Sequence, residues 1–292
     1  MSRGTRTRAR ALLAGTAGLL LAGAVLGGSL TEGSGPAPSG GAGERDEAVH
    51  AQDVRPLAER ETCPDGTDPA ESYRPDRQAG EAVRRIQDAD ELVVGVDQNS
   101  YLWGYRTPDN KIVGFDIDLV EAIAEDLLGS NPTIIYKAVP TSERERLIQE
   151  RKIDMVVRTM SITCKRWDNV AFSTAYFEAG QQLLTSRNSG IEGFDASLDG
   201  RRVCSADGST AQILLKAEGK ALGAELVPAG NHLDCLVLIQ LGEADALMTD
   251  SALAAGHAAQ DPALRLVGEV LTIEPYGVAM HLADTDLVSW VN

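Results

Sequence analysis

Arg166 stands in SITCKRWDNVAFSTAYFEAG, the stretch from Ser161 to Gly180, with a tryptophan and several hydroxyls around it. The stretch fits neither a buried strand nor a solvated helix, and its residue types suit the holding of a carboxylate. A planar guanidinium pairs with both carboxylate oxygens at once. Ser161, which follows the apolar run DMVVRTM, adds a hydroxyl and a backbone N–H. In DGSTAQ, Ser209 and Thr210 stand where a helix is expected to begin. Free N–H groups and the positive dipole end favour an anion there, and ordinary capping is the other use of either hydroxyl. Catalytic sets are missing from the pattern. No Ser/His/Asp arrangement or phosphate loop is legible, His50, His232, His257 and His281 are scattered, and the four cysteines are too widely spaced for a zinc knuckle. No enzyme, metal or cofactor is expected.

Strands and helices in alternation must position these residues. ELVVGVD reads as a buried strand. GFDIDLVEAIAEDLLG places Leu119, Val120, Ile123, Leu127 and Leu128 on one helical face, with Asp116 or Asp118 as the acidic opener and Gly129 as the stop. TIIYKAV, TSERERLIQERK and IDMVVRTMSI continue as strand, helix and strand. A second series starts near Arg201 with RRVCSA as a strand, STAQILLKAEGKALG as a helix, AELVPA as a strand and NHLDCLVLIQLGEAD as a helix. It runs on through the strand ALMTD, the helix SALAAGHAAQD and the strand LRLVGEV. Such alternation predicts parallel strands with right-handed crossovers and ligand sites at strand C-termini. AGQQLLTSRNSG and YGVAMHL give two crossings between the series, and hence a hinge of two strands.

The chain has 292 residues, 43% of them hydrophobic, and a net charge of −16. That size holds a substantial core, and the acidity argues against nucleic acid and anionic membrane surfaces as partners. Arg3, Arg6, Arg8 and Arg10 precede an uncharged apolar run in which Ala22-Gly23-Ala24 offers a small-x-small cleavage pattern. Residues 1–30 therefore read as a signal peptide, or else as a retained anchor. Residues 31–60 begin with TEGSGPAPSGGAGERDE and read as a flexible tether. The protein is expected to be exported to the cell envelope or beyond, where cysteines pair.

From about Leu92 onward the motifs VGVDQNSYLWGY, GFDIDLVEAIAEDL, IDMVVRTMSIT with its following arginine, VAFSTAYFEAGQ, DGSTAQ and EADALMTDSAL occur in one order. In this the chain resembles the extracytoplasmic solute-binding proteins of the polar amino acid type, the receptor components of ABC importers. It is most similar to the actinobacterial glutamate/glutamine type through KR after SITC, GRRVC, DCL and EPYGV. The resemblance implies an α/β, two-lobed periplasmic-binding-protein-like fold (type II) with mixed sheets. The first lobe would take 61–182 and 276–292, the second 183–275. The family usually continues for a further helix or two beyond the point where this chain reaches Asn292, so a truncated first lobe is expected.

The resemblance also assigns roles. A zwitterion leaving water needs a cation and amide donors for its carboxylate and an anion for its ammonium. Arg166, Thr159 and Ser161 fall where the carboxylate is held, with Ser209 and Thr210 across the crevice. Asp250, at the end of ALMTD, falls where similar receptors meet the ammonium, and helix capping is its alternative use. Tyr101 or Trp103 would cover the ligand's stem, with Asp97 near the mouth. Arg158 replaces a small polar residue of the wider family. A cation there favours glutamate, aspartate or their amides over a basic ligand, unless it neutralises a nearby acid such as Asp154. Cys204 and Cys235, in the first strand and second helix of one lobe, would form a staple worth roughly 3 kcal/mol by loop entropy, which leaves Cys63 for Cys164. The implied partners are a free amino acid and an ABC permease, with the receptor a monomer. A ligand-sensing ectodomain coupled to a membrane signalling partner is the alternative.

Overall fold

The computed structural model describes residues 58–292. The export segment and nearly all of the expected tether lie outside the described residues. In chain order, α1 (Glu81–Ala89) leads into β1 (Leu92–Val96), a three-stranded meander of β2 (Asn99–Ser100), β3 (Gly104–Arg106) and β4 (Ile112–Val113), and α2 (Phe115–Leu128). Next come β5 (Ile134–Ala138), α3 (Arg144–Gln149), β6 (Met155–Val156), α4 (Cys164–Trp167) and β7 (Ala171–Phe172). After β8 (Phe177–Ala179) the second series holds β9 (Gln181–Ser186), β10 (Arg202–Ala206), α5 (Thr210–Ala217), β11 (Glu225–Ala229), α6 (His232–Gln240), β12 (Ala246–Asp250), α7 (Ser251–Gln260) and β13 (Leu264–Val267). The chain closes with β14 (Glu274–Tyr276), β15 (Ala279–Met280) and α8 (Thr285–Val291).

Two five-stranded sheets result, ordered β5-β1-β6-β15-β7 and β11-β10-β12-β9-β13. Both are mixed. β1 runs parallel to β5 and β6, and β10 parallel to β11 and β12, whereas β15 and β9 are antiparallel to both neighbours. The reason is the double crossing: the chain leaves the first sheet through β8 and returns through β14, and these two strands pair antiparallel, Phe177 opposite Tyr276. The strands that abut the crossings must therefore run against the βαβ series, which makes both sheets mixed, as the family resemblance implies. The crossing is tight at Gly180, where a Cβ would lie 1.8 Å from the Thr272 carbonyl oxygen.

Each sheet is covered on both faces, as alternation along its strands requires. In the first, Val94, Val96 and Met155 meet α1, α2 and α8 through Ile86, Val120, Ile123 and Leu287, while Val156 and Phe172 face Ile148 and Ile162. In the second, Cys204 and Leu247 meet α6 and α7, and Val203, Ala246 and Met248 meet Ala211 and Leu215 of α5. Both disulfides are formed. Cys204–Cys235 joins β10 to α6, and Cys63–Cys164 joins the segment before α1 to α4.

One expected element ends early. The run IDMVVRTMSI is a strand only at Met155 and Val156. It is turned out of the sheet at Thr159, whose φ of 39° is left-handed and costly for a β-branched residue.

Candidate functional site

The C-terminal ends of the parallel strands of both lobes face one crevice, where α/β sheets place their ligands. After β5 come Thr141 and Arg144; after β6, Arg158, Thr159 and Ser161; after β10, Ser209 and Thr210; after β11, His232; and at the end of β12, Asp250. These residues, with Arg166 of α4 and Leu253 of α7, line one narrow cavity between the lobes.

Arg166 is buried, only 6% exposed. Its Nη1 donates to the Ser161 carbonyl at 2.6 Å and its Nη2 to the Gly208 carbonyl of the second lobe at 3.3 Å, and Glu145 lies 3.6 Å from its Nε. Asp168, its neighbour in sequence, is not its partner. Burial lowers the pKa of this guanidinium, and Glu145, Glu274 and Asp250 work against the shift. Arg158 is almost fully buried and pairs with Asp97 at 3.1 Å. Asp154 is instead held by Arg85 and by the Val93 N–H, so the neutralising alternative applies to Asp97 and not to Asp154.

The sequence reading missed Arg144. It is buried, its Nε donates to the Thr141 carbonyl at 2.9 Å, and among the described residues no carboxylate lies within ion-pairing distance of it. Burial first, and then Arg166 and Arg158, hold its pKa well below the usual arginine range. The signal that could have found Arg144 is its place just beyond β5.

Asp250 accepts from Tyr276 Oη at 2.6 Å and from Gln181 Nε2. Burial and the nearby Glu274 raise its carboxyl to about 7. Its side chain does not cap α7. Ser209, in contrast, is the N-cap of α5: its Oγ accepts from the Gln212 N–H and donates to the Ala206 carbonyl. Thr210 Oγ1 donates to Glu274 at 2.6 Å, as Ser161 Oγ does from the other lobe. Glu274 and Gln181, which the sequence reading did not single out, thus tie both lobes to the crossing strands. His232 is driven down to about 3 by burial and by Arg158, so it lines the cavity as a neutral ring.

Three residues expected around the ligand stand outside the cavity lining. Neither Tyr101 nor Trp103 lines the cavity, and Leu253 is the apolar wall. The turn after β2, with Leu102 at φ 69°, directs Trp103 onto the second lobe. There its indole N–H donates to the Ala252 carbonyl at 3.3 Å and its ring packs with Leu253 and Tyr276. Tyr101 is partly exposed and meets Tyr105 edge-on. Asp97 is buried behind Arg158 and faces an adjoining cavity, which Arg158 also lines, with Asn99, Pro140 and Asn231.

Two mixed α/β lobes, two strand crossings and a charged crevice at the strand ends define a two-lobed receptor of the periplasmic-binding-protein type II class. The chain belongs to the bacterial extracellular solute-binding proteins, family 3, whose pattern matches residues 92–292. An ABC transporter glutamine-binding protein of Bacillus subtilis (strain 168) is 34% identical over 213 residues, 73% of this chain and 77% of the relative. A glutamate-binding protein of Corynebacterium efficiens is 30% identical over 229 residues, 74% of this chain and 77% of that one. Among solved structures, the arginine-bound form of a truncated ArgBP from T. maritima is similar with TM-score 0.67 at 30% identity, covering 72% of this chain and 96% of that one.

Proposed function

We propose that this protein is an exported, non-enzymatic receptor that binds a free amino acid with an acidic or carboxamide side chain and delivers it to an ABC permease. One observation carries the choice of ligand: Arg144 lines the cavity, buried, with no carboxylate within ion-pairing distance among the described residues, whereas Arg158 is held by Asp97 and Arg166 has Glu145 near its Nε. Arg166 takes the ligand's α-carboxylate, aided by Ser161 and by the start of α5. Asp250 takes the ammonium. Arg144, beside the Asp97-paired Arg158, then remains for a side-chain carboxylate or amide, and a basic side chain meets its repulsion instead. The relatives include glutamine- and glutamate-binding proteins and a structure with bound arginine, and the unpaired Arg144 favours the first two ligands over the third.

Arg166 and Asp250 project from different lobes, so a ligand touching both stabilises contact between the lobes by its differential affinity for that state. Thermal melts against the twenty amino acids test the assignment, because a bound ligand raises the Tm by mass action. Glutamate, aspartate or their amides are expected to raise it, and a rise with arginine or lysine alone overturns the reading. Calorimetric titration of Arg166→Ala is expected to show a loss of about 3 kcal/mol, the cost of stranding a desolvated carboxylate. Unchanged affinity removes Arg166 from the site.

A further inference from the structure

Asp116 is a buried carboxylate that the ligand assignment does not use. It lies in the first turn of α2, fully shielded from water, and among the described residues no cation lies within ion-pairing distance of it. Nor does it cap its own helix, whose N-cap is Gly114. Its two oxygens serve other segments. Oδ2 accepts the Thr159 backbone N–H at 2.9 Å, and Oδ1 accepts Tyr176 Oη at 2.9 Å.

Both partners matter to the crevice. Thr159 has the left-handed φ of 39° and stands between Arg158 and Ser161. Strain of this kind persists only where the surroundings over-determine it. Tyr176 leads into β8, and its backbone N–H donates to the carbonyl of Tyr276, whose hydroxyl holds Asp250. We infer that Asp116 is a positioning residue of the crevice: its carboxylate clamps Thr159 in the left-handed turn, which aims Arg158 and Ser161 at the ligand, and through Tyr176 it ties that turn to the crossing strands.

An apolar side chain at 116 orphans a buried N–H and a buried hydroxyl and frees the turn to relax. Asparagine keeps one acceptor for Thr159 and offers Tyr176 a donor, so it retains the clamp. The groups that face Asp116 are Tyr176, Asp97 and Arg158; burial, with Asp97, raises its carboxyl to about 7, against the pull of Tyr176, Thr159 and Arg158. The clamp is then strongest ionised, because a charged acceptor makes the stronger bond to an N–H.

The inference rests on the ligand-binding reading above, so one arm of the test uses no ligand. In the unliganded wild type, the Thr159 amide proton resonance followed by NMR is expected to move through a titration near pH 7, and in Asp116→Asn it is expected to stay flat. A Thr159 amide that neither titrates nor is protected from exchange with solvent in the wild type overturns the clamp. In the second arm, calorimetric titration with glutamate is expected to show affinity down by on the order of tenfold in Asp116→Ala, the cost of orphaning a buried donor, and within about threefold of wild type in Asp116→Asn. An alanine variant that binds as wild type overturns the positioning role. Should Asp116→Ala fail to fold, the asparagine variant and the amide titration decide. A wild type that ignores all twenty amino acids sinks the ligand assignment, and the amide titration then upholds or overturns the clamp by itself.

Discussion

If Asp250 takes the ligand's ammonium as proposed, binding is coupled to protons. Its carboxyl is raised to about 7 by burial and by Glu274, with Tyr276 and Gln181 opposing. A folded-state pKa above the unfolded value means that this group favours the folded state most below its unfolded pKa, and the advantage is lost as pH rises through about 7. The ligand's ammonium reverses the preference, because an ionised Asp250 is then paired. Unliganded protein is therefore expected to lose stability as pH rises from about 4 to about 7, while the ligand's own stabilisation grows over the same range. Below pH 7 the affinity should fall by up to about tenfold per unit, since a proton must leave for the ammonium to dock. Titrations in two buffers of different ionisation enthalpy measure that proton, and in Asp250→Asn the difference between buffers should vanish. Equal proton release in the variant and the wild type removes Asp250 from the ammonium's path.

At the scale of elements, α4 is the exposed joint of the design. It has four residues, fewer than any helix needs to hold itself in water, yet it carries Arg166. Neighbouring segments hold it. Cys164 is bonded to Cys63, Trp167 Nε1 donates to the Pro69 carbonyl at 2.7 Å, Tyr73 packs on Trp167, and Ser72 Oγ donates to the Phe172 carbonyl. The bond closes a loop of 101 residues, so the paired change Cys63→Ser/Cys164→Ser is expected to lower stability by up to about 4 kcal/mol, as a calorimetric melt reads. Glutamate affinity should fall with it, because Arg166 loses its backing; a variant that melts earlier and still binds as wild type separates the two effects. How much of this was legible follows from the kind of information each element carries. The alternation of apolar strands and amphipathic helices fixes both lobes, and the residues just beyond strand ends, Asp97, Arg158, Ser161, Ser209 and Asp250, stand out because polar groups there follow apolar runs. Arg144 was hidden among the charges of TSERERLIQERK, where only its distance from β5 marks it. Glu274 and Gln181 were hidden because they act from the crossings, whose partners are about ninety residues apart in sequence. Trp103 was misplaced because its direction depends on one left-handed residue, Leu102.

Across the whole molecule, contact between the lobes depends on how closely two backbones approach. Gly256, inside α7 of the second lobe, lies under the Tyr101 carbonyl of the first, and a Cβ there would sit 2.6 Å from that oxygen. The same face carries the Trp103 indole bond to Ala252. A backbone oxygen cannot swing aside as the end of a side chain can, so Gly256→Ala wedges the lobes apart. Within the helix, however, the change is favourable, since alanine is the better helix former by about 1 kcal/mol. The two effects act on different states. The lobe that carries α7 should melt no lower, and the unliganded protein should shift toward an open arrangement with a larger radius of gyration in solution scattering. Affinity for the ligand should fall by on the order of tenfold or more, as the bound state must now displace Tyr101 to close. A variant that stays as compact as wild type and binds as tightly would mean that the lobes meet differently when the ligand is held. A variant that simply unfolds would place Gly256 in the core of its own lobe rather than at the seam.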